Sequence, residues 1–180
     1  MRTTRLFKTV ITYLLLMILI LSLNSCFIAK SIEAKHARAE FTTENKAIPP
    51  SFGKSNTILL CVLQGRNSYD KFLKSAVKKN YKGEYILIYS YDLSSDKYSD
   101  KNKYRYVFDY NSGSSIASTY RYSSPYSTVN SYSNATTTYK RFYVNDRLEN
   151  KIYQSGAEFG FFANAMKIYM ANLEIERQSK

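Results

Sequence analysis

The run Thr57-Ile-Leu-Leu-Cys-Val-Leu63 constrains this chain more than any other stretch. Its residues are mostly β-branched or aliphatic and do not alternate, which is the pattern of a strand buried on both faces and therefore central to a sheet. Gln64-Gly65-Arg66 breaks the run, and Asn67 or Ser68 then caps a helix predicted to reach about Tyr81. Tyr69, Leu73, Ala76, Val77 and Asn80 or Tyr81 share one face of that helix, while Lys71, Lys74, Lys78 and Lys79 cover the others. Asp70 sits in the first turn, where a carboxylate suits the helix dipole. Lys82-Gly83 ends the helix, and Glu84–Tyr91 makes a second β run. A strand–helix–strand unit of this kind sets its two strands parallel, with a right-handed crossover.

Downstream, Asp92–Lys103 is polar and turn-rich, and Tyr104–Tyr110 alternates like a strand with one solvated face. Residues Asn111–Thr138 are dominated by Ser, Tyr, Thr and Asn and read as a long low-complexity loop. Its Tyr120, Tyr122, Tyr126 and Tyr132 are the candidate binding residues, because a tyrosine offers a rigid ring and a hydroxyl to a partner. Arg141–Asn145, a turn over Arg147–Asn150, and Lys151–Gln154 form a predicted hairpin. Ser155 and Glu158 match a capping box, opening a long helix over about Ala157–Arg177. Its stripe of Phe159, Phe162, Ala163, Met166, Tyr169 or Met170, and Leu173 packs on the sheet and could also meet a second copy of the chain. The expected fold is therefore α+β, or small α/β, with one domain over residues 57–180.

The N-terminal part reads differently. Arg2, Arg5 and Lys8 precede the apolar run Val10–Leu23, and Leu23-Asn24-Ser25-Cys26 follows at once. A basic start, a short apolar core and a small residue before the cut describe a secretory signal peptide, and the core falls short of the roughly 20 residues a spanning helix needs. Leu23, Ser25 and Cys26 resemble the bacterial lipobox, with Asn24 a less usual choice between them. That resemblance implies removal of residues 1–25 and diacylation of Cys26. Phe27, where an inner-membrane retention Asp would stand, points by the same resemblance to the outer membrane. Residues 26–56 then read as a lipidated Cys and a flexible tether closed by Pro49-Pro50, a pair that disfavours helix.

Removing the three basic residues of the signal from the formal charge of +12 leaves +9. In a cytosolic chain such a charge, interleaved with tyrosine, suggests nucleic acid. Export turns it instead toward anionic lipid, an acidic glycan or another envelope protein, and no nucleic acid is expected. With lipid on Cys26, Cys61 has no disulfide partner and reads as a small buried hydrophobe. The single histidine, His36, falls in the tether, so no catalytic residue, metal site or cofactor is expected in the domain. Carboxylates could still pair for glycan hydrolysis, for example Asp109 with Asp146 or Glu149.

The order of elements, with a tyrosine- and serine-rich stretch before a strand ending in Asp146, a turn through Asn150, and Lys151-Ile152-Tyr153, resembles small envelope lipoproteins of unknown function. Asn150 stands where Gly is usual and the aromatic is Tyr153. The resemblance carries no catalytic motif. It implies a non-enzymatic envelope role, with a self-assembling structural subunit and a cell-wall glycan hydrolase as alternatives.

Overall fold

The computed structural model of the chain describes residues 13, 14, 17, 28–54, 56–117 and 135–180. Strand β1 (Leu59–Leu63) is buried along its whole length, as its unbroken apolar run requires. It pairs in parallel with β2 (Tyr85–Tyr89) on one side and β3 (Tyr106–Ala117) on the other. Strand β4 (Ala135–Asp146) runs antiparallel to β3, and β5 (Lys151–Gln154) antiparallel to β4. The sheet order is β2-β1-β3-β4-β5. With helix 28–40 (α1), α2 (Asn67–Asn80) and α3 (Phe162–Gln178), this is an α+β fold.

Side-chain alternation along β1 divides the core. Leu59, Cys61 and Leu63 point into a large cluster with the helices, while Leu60 and Val62 point into a smaller one with Ile88, Tyr98, Tyr104 and Val107. The smaller cluster is roofed by two 3-10 turns, Ser90–Ser94 and Asp96–Tyr98. Arg147 fastens that roof to the hairpin by donating from Nη1 to the Tyr98 and Tyr104 carbonyls at 2.7 and 3.0 Å. Helix α2 buries Leu73, Ala76 and Val77, the face its periodicity predicts. In the β4–β5 turn Asn150 takes φ +52°, a conformation that Asn tolerates better than most residues.

Three boundaries differ from expectation. The first is the tether. Ala37, Phe41, Ala47, Ile48 and Phe52 are all in the large core cluster, and the Phe41 ring lies 4.7–4.8 Å from the rings of Tyr169 and Phe159. Tyr169 Oη donates to the Ala47 carbonyl, and Asn172 Nδ2 donates to those of Phe41 and Arg38 at 2.7 and 3.0 Å. Pro49 opens a turn, closed by the Phe52 N–H donating to the Pro49 carbonyl at 2.9 Å. The buried residues are spaced unevenly because α1 gives way to irregular chain, so neither a helical nor a strand period marks them. The segment 28–54 is therefore part of the domain.

The second is the start of α3, five residues beyond the predicted Ala157. Ser155 does not cap it: its N–H bonds to the Phe142 carbonyl at 3.0 Å and its Oγ donates to the Ala157 carbonyl at 2.9 Å, so it continues the sheet. Glu158 pairs with Arg141 at 2.8 Å. The Phe161 N–H at the helix entrance donates instead to Glu33 Oε1 of α1 at 2.8 Å. The third is the loop 111–138. Residues Asn111–Ala117 and Ala135–Thr138 belong to β3 and β4, paired out to Ala117 opposite Ala135. Serine and threonine leave no hydrophobic alternation to read, yet a two-stranded extension is held by backbone hydrogen bonds and needs no core. Tyr120, Tyr122, Tyr126 and Tyr132 lie outside the described residues, as does Cys26.

Candidate functional site

Because β1, β2 and β3 are parallel, the residues that precede them meet at one edge of the sheet. Lys54 comes shortly before β1, Lys82 before β2 and Lys103 before β3, and all three line one cleft of about 440 Å³. Arg177 from the end of α3 closes it, with Tyr81, Glu84, Asn56 and Thr57 on its walls. The two glycines at the cleft allow close approach. Gly53 takes φ +85°, and a Cβ there would stand 2.7 Å from the Arg177 Cα; a Cβ on Gly83 would stand 2.6 Å from the Tyr81 hydroxyl.

The cations of this cleft differ in what holds them. Arg177 is fixed by Glu174, at 2.6 Å from Nη2 to Oε1 and 3.0 Å from Nε to Oε2. The Arg177 bonds, aided by the Lys82 N–H at 2.9 Å, outweigh burial and hold the Glu174 carboxyl down to about 2. Lys54, Lys82 and Lys103 are exposed and make no ion pair among the described residues. Burial pushes the Tyr81 hydroxyl well above its ordinary pKa, so it stays a neutral donor. Ammonium groups around a concave wall reinforce one another's field. The arrangement suits a phosphate, sulfate or carboxylate.

The opposite edge is built the other way. The order β2-β1-β3 sends the chain to one side of β1 and then to the other, and the crevice between the carboxyl ends of such strands is where open α/β sheets take ligands. Here Gln64, just after β1, bridges it: its Nε2 donates to Asp109 Oδ1 at 2.9 Å and to the Tyr110 carbonyl at 2.7 Å. Asp109 also accepts from the Tyr110 N–H at 2.7 Å and the Tyr143 hydroxyl at 3.1 Å. Burial nevertheless raises the Asp109 carboxyl above the usual carboxylate range, and burial likewise raises Tyr143. The Tyr110 hydroxyl, also raised by burial, has no hydrogen-bond partner among the described residues. Beside it the buried Lys140 sets its Nζ 4.6 Å from the centre of the Tyr69 ring.

A third cluster is a clamp. Asp146, fully buried, accepts from Arg105 Nε at 2.9 Å and from Arg105 Nη2 at 2.7 Å. It also accepts from the Leu148 and Glu149 N–H groups at 3.0 and 3.1 Å. Arg105 Nη2 reaches Glu149 Oε1 at 2.9 Å and Ser51 Oγ at 3.0 Å, tying the segment before β1 to the hairpin. Burial opposes the charge on Asp146, but the Arg105 bonds outweigh it and hold the carboxyl below its usual range.

These positions settle what becomes of the residues singled out from sequence. Asp109 lies opposite Tyr143 and Asp146 opposite Tyr106, an odd number of residues apart, so the two carboxylates face opposite sides of the sheet. Asp146 and Glu149 are both engaged by Arg105. The structure brings together no pair of the glycosidase kind from them. Cys61 is fully buried, and burial drives its thiol far above the ordinary value. His36 is not on a free tether: α1 sets its ring edge-on to Phe159 at 5.9 Å between centroids. Among the described residues no group of His, Cys, Asp or Glu could hold a metal ion. No helix among them is long and apolar enough to cross a membrane.

The amino-edge cleft was missed in the sequence, though it left a signal. Gly53-Lys54, Lys82-Gly83 and Asn102-Lys103 each set a lysine beside a turn residue shortly before a strand. Once the strands are known to be parallel, that repetition converges at one place. No protein-family model, curated protein or solved structure matches the chain.

Proposed function

We propose that this chain is an exported lipoprotein of a bacterial cell envelope, anchored to the outer membrane by lipid on Cys26, with a non-enzymatic binding or scaffold role. The observation that carries the reading is Leu23-Asn24-Ser25-Cys26 behind a basic start and the apolar run Val10–Leu23. Phe27 favours the outer over the inner membrane. The amino-edge cleft supports the partner class: its three lysines, which make no ion pair among the described residues, suit the acidic group of a glycan, an anionic lipid or an envelope protein. Self-assembly through α3 receives less support, because Phe162, Met166, Tyr169, Met170 and Leu173 are buried in the chain's own core.

The test is Cys26→Ala in the full chain, expressed in a bacterium beside the unaltered protein. The variant is expected to accumulate as a precursor of full length, and an inhibitor of the lipoprotein signal peptidase is expected to reproduce that band with the unaltered chain. Mature protein of normal size from Cys26→Ala would sink the anchor.

A further inference from the structure

We infer that the turn of α1 over residues 28–32 lies in the headgroup layer of the bilayer that holds Cys26, so that the domain is docked on the membrane instead of swinging from it. The inference rests on the lipid-anchor reading above. Only one residue separates Cys26 from Ile28. Two peptide units reach at most about 7 Å, and the headgroup layer on each side of a bilayer is about 5–8 Å thick. A lipid on Cys26 therefore leaves Ile28 within or at the border of that layer.

What the helix presents there fits the location. Ile28 and Ile32 are 56% and 65% exposed and stand one turn apart, on one face. Scattered exposed aliphatics are ordinary on a protein surface. These two instead lie two and six residues after Cys26 in the sequence, and Ile32 borders a groove of about 420 Å³ with Ala29 and Phe159, whose walls also carry Glu33, His36 and Glu158. Lys35, exposed and three residues after Ile32, lies on the same side of the helix and suits anionic headgroups.

The same helix is locked to the domain. Glu33 accepts from the Phe161 N–H at 2.8 Å, Asn172 holds the carbonyls of Arg38 and Phe41, and Ala37 is fully buried. From Glu33 onward, seven residues after Cys26, the helix is held to the core. Arg177 of the amino-edge cleft lies at the far end of α3 from Phe161. At about 1.5 Å of rise per residue, that separates cleft and docked turn by about 25 Å along the helix.

The experiment uses the full chain, reconstituted into vesicles of phosphatidylethanolamine and phosphatidylglycerol. An environment-sensitive fluorophore is attached at Ser31→Cys in one sample and at Lys103→Cys in another, against the background of the chain without either. Docking predicts that brominated lipid quenches the Ser31→Cys label several-fold more than the Lys103→Cys label, with aqueous iodide giving the reverse. Adding Ile28→Asp and Ile32→Asp, both at exposed positions, is expected to bring the Ser31→Cys label down to the level of the control. Equal quenching of the two labels, or no change with the aspartates, would overturn docking. The mass of Cys26 in the same samples reads the anchor separately: an acylated Cys26 with a water-exposed label removes docking alone, and an unmodified Cys26 removes the anchor reading.

Discussion

The two edges of the parallel strands use polar residues in opposite ways. At the carboxyl edge, Gln64, Asp109 and Tyr143 satisfy one another across the crevice between β1 and β3. At the amino edge, Lys54, Lys82 and Lys103 converge on an open cleft and leave their charges to solvent. In an open α/β sheet the carboxyl edge is the usual place for a ligand. Here the crevice between β1 and β3 is bridged by the chain's own side chains, and a cleft of about 380 Å³ lined by Gly65, Asp70, Lys71, Lys74 and Tyr89 remains beside the ends of β1 and β2. The surface we propose for recognition is the lysine-lined cleft at the other end. Location in a fold is thus a weaker guide than whether polar groups there already have partners.

The contrast can be broken at several points, taken from the largest effect to the smallest. Arg105→Ala leaves Asp146 buried without its cation, and the loss of a buried partner costs about 3–5 kcal/mol; urea unfolding measures it. Gln64→Ala strips a donor from Asp109 and from the Tyr110 carbonyl, for a loss of about 1–3 kcal/mol. Anion binding should survive that change, because the cleft is at the other edge. Lys82→Glu with Lys103→Glu should do the opposite, leaving the thermal midpoint unchanged while abolishing binding of inorganic pyrophosphate by calorimetry. Pyrophosphate binding that persists in the double variant would remove the cleft as the acidic-group site.

Acid should act on the same network with a defined sign. Glu174 and Asp146 have folded pKa values below their ordinary ones of 4.5 and 3.8, with Glu174 at about 2. The stability they contribute is complete above those ordinary values and is lost as pH falls through the folded ones. Asp109, raised by burial, works the other way and gains as it protonates. The thermal midpoint should therefore fall between about pH 4.5 and 2, and Glu174→Gln should flatten the decline by removing the larger of the two contributions. A midpoint that rises steadily toward pH 2 would contradict the pairing of Glu174 with Arg177.

The parts of the fold that were legible in the sequence are those where one physical signal acts alone. The unbroken apolar run announced β1 as central, and the lysines around Leu73, Ala76 and Val77 marked the outer face of α2. Where signals compete, the reading failed. Ser155 and Glu158 satisfy the capping pattern locally, but a sheet bond to the Phe142 carbonyl and an ion pair with Arg141 claim them first. Phe41, Ile48 and Phe52 are buried at intervals with no period, so the segment carrying them looked like a linker. The clamp of Arg105, Asp146 and Ser51 joins residues far apart in the chain, and nothing local advertises it.

The proposed lipid anchor on Cys26 has a direct readout. Intact-mass spectrometry of the protein extracted from bacterial membranes, with sequencing of its N-terminal peptide, reports which residue begins the mature chain and what it carries. A chain that begins at Cys26 and bears a diacylglyceryl group is the predicted result. A chain that keeps Met1, or that begins with an unmodified residue, would contradict the anchor.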